Sequence, residues 1–163
     1  MEKAGRETLP KVPAVAEITP EAILLRPSAL TLLHHLLALP APEEGCALLL
    51  GRREAGLWRI ERIWPCLNVW EPRAERDHRF AVDPLEQLHA QKWGRCHGLL
   101  LLLGSAHSHP AAEPVPSATD RALTVAPALM LIRGCSVQGD AELACWWLPE
   151  EGPPRPLPWR MED

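Results

Sequence analysis

The sequence predicts a single-domain α/β protein, and three observations carry that expectation. The chain has 163 residues, the length of one ordinary domain, enough to bury roughly two-thirds of its surface. Hydrophobic residues make up 47% and charged residues 23%, far from the balance of a disordered chain. Its apolar segments alternate between helical spacing and the continuous or alternating runs of strands.

Residues 1–20 carry Pro10, Pro13 and Pro20 without a sustained period and read as a loosely ordered arm. After Pro27, Ser28 can cap a helix whose Leu30, Leu33 and Leu37 share one face, stopping at Pro40. Cys46 to Leu50 is a continuous apolar run ending at Gly51, a buried strand. Trp58 to Trp64 alternates, as a half-exposed neighbour would. The polar stretch from Pro65 to Arg79 suits an exposed loop. Asp83-Pro84-Leu85-Glu86 then supplies a cap, a first-turn proline and a capping-box glutamate for a helix through about Trp93. Gly98 to Ala106, dense in leucine, is the strongest strand signal. It delivers the chain into His107-Ser108-His109-Pro110. Pro116 to Asp120 looks like a helix start, and Ala128–Ile132 and Leu143–Leu148 read as later strands. The domain therefore spans 21–149, and the proline-rich tail, 150–163, is expected to be an extended edge segment or disordered.

Charge and cysteine usage exclude several classes. The net charge is −4 and none of the 17 Lys and Arg residues form a block, so nucleic acid is a poor partner. No apolar run reaches the ~18 residues of a membrane span, and the N-terminus lacks the order of a signal peptide. The expectation is a soluble, cytoplasmic protein. Cys46, Cys66, Cys96, Cys135 and Cys145 are scattered and include no Cys-x-x-Cys pair, so they form neither a disulfide framework nor a cysteine zinc site.

The chemistry concentrates around the histidines. Residues at i and i+2 of an extended segment point to one side, so His107 and His109 can present two imidazoles to one metal ion, with Ser108 facing away. Asp120, in the first turn of the following helix, is available as the third ligand. That set leaves a fourth position for water, as a catalytic zinc requires. Peptide hydrolysis also needs a base to carry the water proton to the leaving amine, and Glu44, just ahead of a core strand, can supply it. Ser117 could donate to the oxyanion of the tetrahedral intermediate. Each piece alone has a plainer reading: Ser117-x-x-Asp120 fits a capping box, and an acid before a strand is usually solvated. Their conjunction at this spacing is improbable by chance.

The run Glu44-x-x-x-Leu48-x-x-Gly51, followed by His107-Ser108-His109-Pro110 and Pro116-Ser117-x-x-Asp120, closely resembles the JAMM motif of MPN-domain metalloproteases. The resemblance covers roughly residues 25 to 133. Arg79-Phe80-x-x-Asp83-Pro84 is similar to a segment preceding a helix in small bacterial members. Two positions depart from the pattern: Ala47 stands where a glycine is usual, and Ala106 where an aromatic residue often precedes the histidines. The resemblance implies a mixed β-sheet flanked by helices, similar to the cytidine deaminase fold. It implies zinc held by His107, His109 and Asp120, with Glu44 as general base and Ser117 at the oxyanion. It also implies a substrate class: a peptide, isopeptide or amino-acid adduct at the diglycine C-terminus of a ubiquitin-like or sulfur-carrier protein. The competing expectations are an inactive MPN scaffold that binds protein partners, and a nucleobase deaminase. For the deaminase, the His-x-Glu and Pro-Cys-x-x-Cys elements are missing.

Overall fold

The computed structural model describes residues 19–163, so the arm expected over residues 1–20 lies almost wholly outside the described residues. Strand β1 (Ala22–Leu25) is followed by helix α1 (Pro27–Ala38), strands β2 (Cys46–Arg53) and β3 (Leu57–Cys66), and helix α2 (Pro84–Cys96). Strand β4 (Leu101–Ser108), helix α3 (Ala118–Leu123) and strands β5 (Ala128–Cys135), β6 (Ala141–Leu148), β7 (Arg155–Leu157) and β8 (Trp159–Met161) complete the chain. The eight strands among the described residues form one mixed sheet in the order β7-β6-β5-β4-β2-β3-β1-β8. The α/β fold class, a mixed sheet flanked by helices, is the one the sequence predicts.

Helix α1 starts two residues earlier than a cap at Ser28 would place it. Arg26 takes the N-cap position without a side-chain cap, and Pro27 occupies the first turn, where its missing N–H costs nothing. The face bearing Leu33 and Leu37 packs on Ala47, Leu49, Ala106, Leu129 and Leu131 in the larger core cluster. Leu33 and Leu37 are almost fully buried, each contributing roughly 1.5–3 kcal/mol. On the opposite face of the sheet, α2 sets Ala90 against Leu48, Leu50 and Leu100. The Asp83 side chain caps α2 by accepting from the Leu85 N–H at 2.9 Å. Glu86 does not return to the cap, because its Oε2 accepts instead from the Trp64 indole at 3.0 Å.

Strand β4 begins later and ends later than its leucine run implied. Gly98 and Leu99 both have positive φ and form a turn, which leaves His107 within the strand and His109 just past it. Ala47 and Ala106, the two departures from the motif, are register partners across β2 and β4. Both are fully buried in the cluster under α1. Since side chains alternate across a strand, they lie on the face away from His107.

The tail beyond Pro149 is not a separate appendage. Its β7 pairs antiparallel with β6, and its β8 pairs parallel with β1, so it supplies both outer strands of the sheet. Glu162 secures this end through ion pairs to Arg26 and Arg59. Among the described residues no helix is long and apolar enough to cross a membrane.

Gly45, between Glu44 and β2, marks a close approach. A Cβ there would stand 2.9 Å from the Leu36 carbonyl oxygen and 3.0 Å from the Leu37 Cα, both helix backbone with no room to yield. Gly45→Ala is therefore expected to lower stability by about 1–3 kcal/mol and to displace Glu44, as read by denaturant unfolding. An unfolding midpoint equal to that of the parent chain would contradict the close packing.

Candidate metal centre

Three elements converge at one end of the sheet: the end of β4, the N-terminus of α3, and the segment leading into β2. His107 Nε2 lies 3.1 Å from His109 Nε2 and 3.2 Å from Asp120 Oδ2, and the third edge, His109 Nε2 to Asp120 Oδ2, is 3.3 Å. All three residues are buried, and together they form a group able to hold a metal ion. A tetrahedral site with metal–ligand bonds of ~2.0–2.1 Å has edges of about 3.3–3.4 Å, so the triangle already has nearly the required size. The donor set of two imidazole nitrogens and one carboxylate oxygen suits a borderline-soft divalent ion.

Each ligand is held by a different device. His109 Nδ1 donates to the Glu113 carbonyl at 2.8 Å, which leaves the Nε2 lone pair facing the centre. The main-chain carbonyl of Glu113 thus has a role that its exposed charge did not suggest. His107 has no such bond: its Nδ1 is buried without a partner among the described residues. Its ring instead stacks on Phe80, with centroids 4.4 Å apart and planes 20° from parallel. Asp120 is fixed by a reciprocal capping box, in which the Ser117 N–H donates to Oδ2 at 2.8 Å and the Asp120 N–H donates to Ser117 Oγ at 3.0 Å. The capping reading of Ser117-x-x-Asp120 therefore holds, and it is also what aims the carboxylate.

Glu44 approaches from the other side, with Oε1 3.9 Å from His109 Nε2. Its Oε2 is buried and has no hydrogen-bonding partner among the described residues. Its main chain is tied down by a 2.6 Å bond from its N–H to the Arg76 carbonyl and by the Asn68 amide, which donates to its carbonyl at 3.1 Å. Ser108 does face away from the ligands, but it has work to do there. Its Oγ accepts from the Gly45 N–H at 2.8 Å, and its own N–H donates to the Gly45 carbonyl at 3.0 Å. Those two bonds couple the segment bearing Glu44 to the strand bearing the histidines. The structure thus brings together all five residues singled out in the sequence, with Ser117 next to Asp120.

The electrostatics favour a cation. Burial lowers the His107 pKa, outweighing the opposing pull of Asp120, and so keeps a neutral, ligating imidazole. Burial would also raise Asp120, but the hydrogen bonds from His107, His109 and the Ser117 N–H hold its carboxyl well below the usual range. For His109 burial works downward and is overcome by Asp120, the Glu113 carbonyl and Glu44, so its pKa rises. Burial pushes the Glu44 carboxyl up to about 7, with His109 pulling it down and Asp120 and Asp77 adding to the rise. A carboxyl near 7 is poised to accept and release a proton at neutral pH.

Comparison with known proteins agrees with this geometry. Residues 27–149 match the model of the prokaryotic homologs of the JAB domain. The chain belongs to this prokaryotic JAB-domain family. A solution structure of a Desulfitobacterium hafniense protein resembles this JAB domain with a TM-score of 0.75 at 29% identity, covering 86% of this chain and 93% of that one. A Salinibacter ruber protein, also a solution structure, has a TM-score of 0.63 at 27% identity, covering 85% and 91%. No curated protein matches the chain. Membership accounts for the JAMM-like spacing and places the matched region from α1 to the end of β6.

Sequence reasoning missed three residues that build the centre: Asn68, Phe80 as the platform under His107, and Ser108 as a fastener. Phe80 had a signal, since it is the chain's one phenylalanine and lies in the segment resembling bacterial members. Asn68 had none.

Proposed function

We propose that this JAB domain is a zinc-dependent metallopeptidase. Its substrate is a peptide, isopeptide or amino-acid adduct at the diglycine C-terminus of a ubiquitin-like or sulfur-carrier protein. The observation that carries the reading is the buried His107, His109 and Asp120 triangle at tetrahedral spacing, with the Glu44 carboxyl 3.9 Å from one of its imidazoles. A zinc ion bound there would supply Lewis-acid activation of a water and of the scissile carbonyl.

The chain's own residues supply the rest. Glu44 takes a proton from the attacking water and delivers it to the leaving amine, a transfer for which a pKa of about 7 is well matched. Ser117 Oγ spends a lone pair on the Asp120 N–H, which leaves its hydroxyl hydrogen available for the oxyanion. A cavity of about 520 Å³ borders Asp120; Leu48, Trp70, Phe80 and Leu102 line it together with the polar side chains of Arg53 and Gln87. Its mixed apolar and polar lining suits an extended chain end, whose main chain needs hydrogen-bonding partners. A tail of two glycines has no side chains to clash where the cavity meets the buried ligands.

The test is metal content and cleavage measured on the same preparation. Protein purified without chelator is expected to hold about one zinc per chain, lost in His109→Ala, and to cleave an adduct on a diglycine-tailed carrier protein in a chelator-sensitive way. Zinc without cleavage would turn the reading toward a partner-binding scaffold. A native chain that takes up no zinc when offered it would end the hydrolase reading.

A further inference from the structure

Of the two histidines, His107 lacks a hydrogen bond at its second imidazole nitrogen: its Nδ1 has no partner among the described residues, while Phe80 stacks on the ring face and the His109 ring meets it edge-on. The main chain of His107 is held in β4, so what fixes Phe80 bears on the orientation of the His107 ring. Phe80 lies between β3 and α2, itself outside any strand or helix that would restrain it. The side chain of Asn68 does so instead.

All four hydrogen bonds that the Asn68 amide makes go to main chain. Its Nδ2 donates to the Glu44 carbonyl at 3.1 Å and to the Arg79 carbonyl at 2.8 Å. Its Oδ1 accepts from the Trp70 N–H at 3.0 Å and from the Ala81 N–H at 3.2 Å. An asparagine side chain has two donor hydrogens and two acceptor lone pairs, so its capacity is filled. Arg79 and Ala81 flank Phe80, and the clamp is reinforced by the Val69 N–H donating to the Ala81 carbonyl at 2.9 Å.

We propose that Asn68 is a positioning residue for the metal centre: one side-chain amide holds Phe80 against the His107 imidazole and joins that platform to the main chain of Glu44. The inference rests on the metal-centre reading above. It assigns to a loop asparagine and a stacked ring the part that a hydrogen bond to the second imidazole nitrogen usually plays. Groups of that kind are worth about 10–100-fold in metal affinity.

The experiment is a zinc competition titration against a chromophoric chelator, using metal-stripped parent chain, Asn68→Ala, Phe80→Leu and the double variant. Circular dichroism confirms that each is folded. Asn68→Ser, which keeps a hydroxyl acceptor, replaces Asn68→Ala if that variant does not fold. Each single substitution is expected to weaken zinc binding about tenfold. The double variant is expected to bind no more weakly than the worse single one, because both changes release the same ring. A residue that merely stabilised the loop would lower the melting temperature and leave zinc affinity alone. Folded Asn68 variants binding zinc within about twofold of the parent, or effects that multiply in the double variant, would overturn the proposal. A parent chain that binds no zinc would overturn the metal centre itself, an outcome distinct from unchanged affinity in the variants.

Discussion

Glu44→Gln is expected to lower hydrolysis by about 10²–10⁴-fold while zinc stays bound, because the amide fills the same space but cannot carry a proton. The same substitution has an opposite effect on stability in metal-free protein. Burial holds the Glu44 carboxyl at about 7, so folding favours its protonated form. That stabilising contribution is fully present below the ordinary carboxylate pKa and is lost as pH rises through about 7. Above pH 7 the parent chain carries a buried carboxylate whose Oε2 has no partner among the described residues, and the glutamine variant does not. In the presence of chelator the variant should therefore be more stable at pH 8, by roughly 2 kcal/mol after allowing for partial hydration. The advantage should vanish by about pH 4.5. Urea unfolding at the two pH values checks this, and a variant less stable than the parent at pH 8 would show that the carboxylate is not strained there. Loss of activity together with a gain in stability would mark a group kept for chemistry rather than for the fold.

Gly104→Ala is expected to cost about 3 kcal/mol or more, near the upper end for inserting one methyl group into packed structure. The added Cβ would fall 2.0 Å from the Leu129 carbonyl oxygen and 2.7 Å from its carbonyl carbon. Neither atom can move without parting β4 from β5, which pair from Gly104↔Leu129 to Ser108↔Arg133. That ladder runs directly into the site, since the His109 N–H donates to the Arg133 carbonyl at 2.8 Å. Loss of soluble protein, or a chemical unfolding midpoint far below that of the parent, is the expected result. A variant with parental stability and zinc affinity would show that the two strands can separate freely.

How much of this was legible in the sequence depends on the range of the interactions. The candidate ligands were legible because metal chemistry demands particular residue types, and a strand or first helical turn brings near neighbours to one side. His107, His109 and Asp120 all satisfy such local rules. The cap at Asp83 was legible for the same reason, whereas the partner of Glu86 was not, because Trp64 lies on another strand. Asn68 was invisible: its four partners are main-chain groups at positions 44, 70, 79 and 81, and main chain has no sequence signature. The strand order was equally hidden, because β1, β7 and β8 are short and the β1–β8 pairing joins Ile23–Leu25 to Trp159–Met161, far apart in sequence. A proline-rich tail suggests at most an edge, and nothing local says that one tail will supply both.

That tail ties the fold to the order in which the chain is made. Ile23 pairs with Trp159 and Leu25 with Met161, so β1 gains its outer neighbour only after more than 130 further residues have been made. Strand β6 must likewise wait for Arg155–Leu157. Throughout synthesis, then, the nascent sheet presents two open borders, each able to pair with another unfinished chain. Closure of both borders waits until residues 155–161 are made, so a chain released before residue 155 would leave a sheet prone to aggregate rather than a shorter version of the domain.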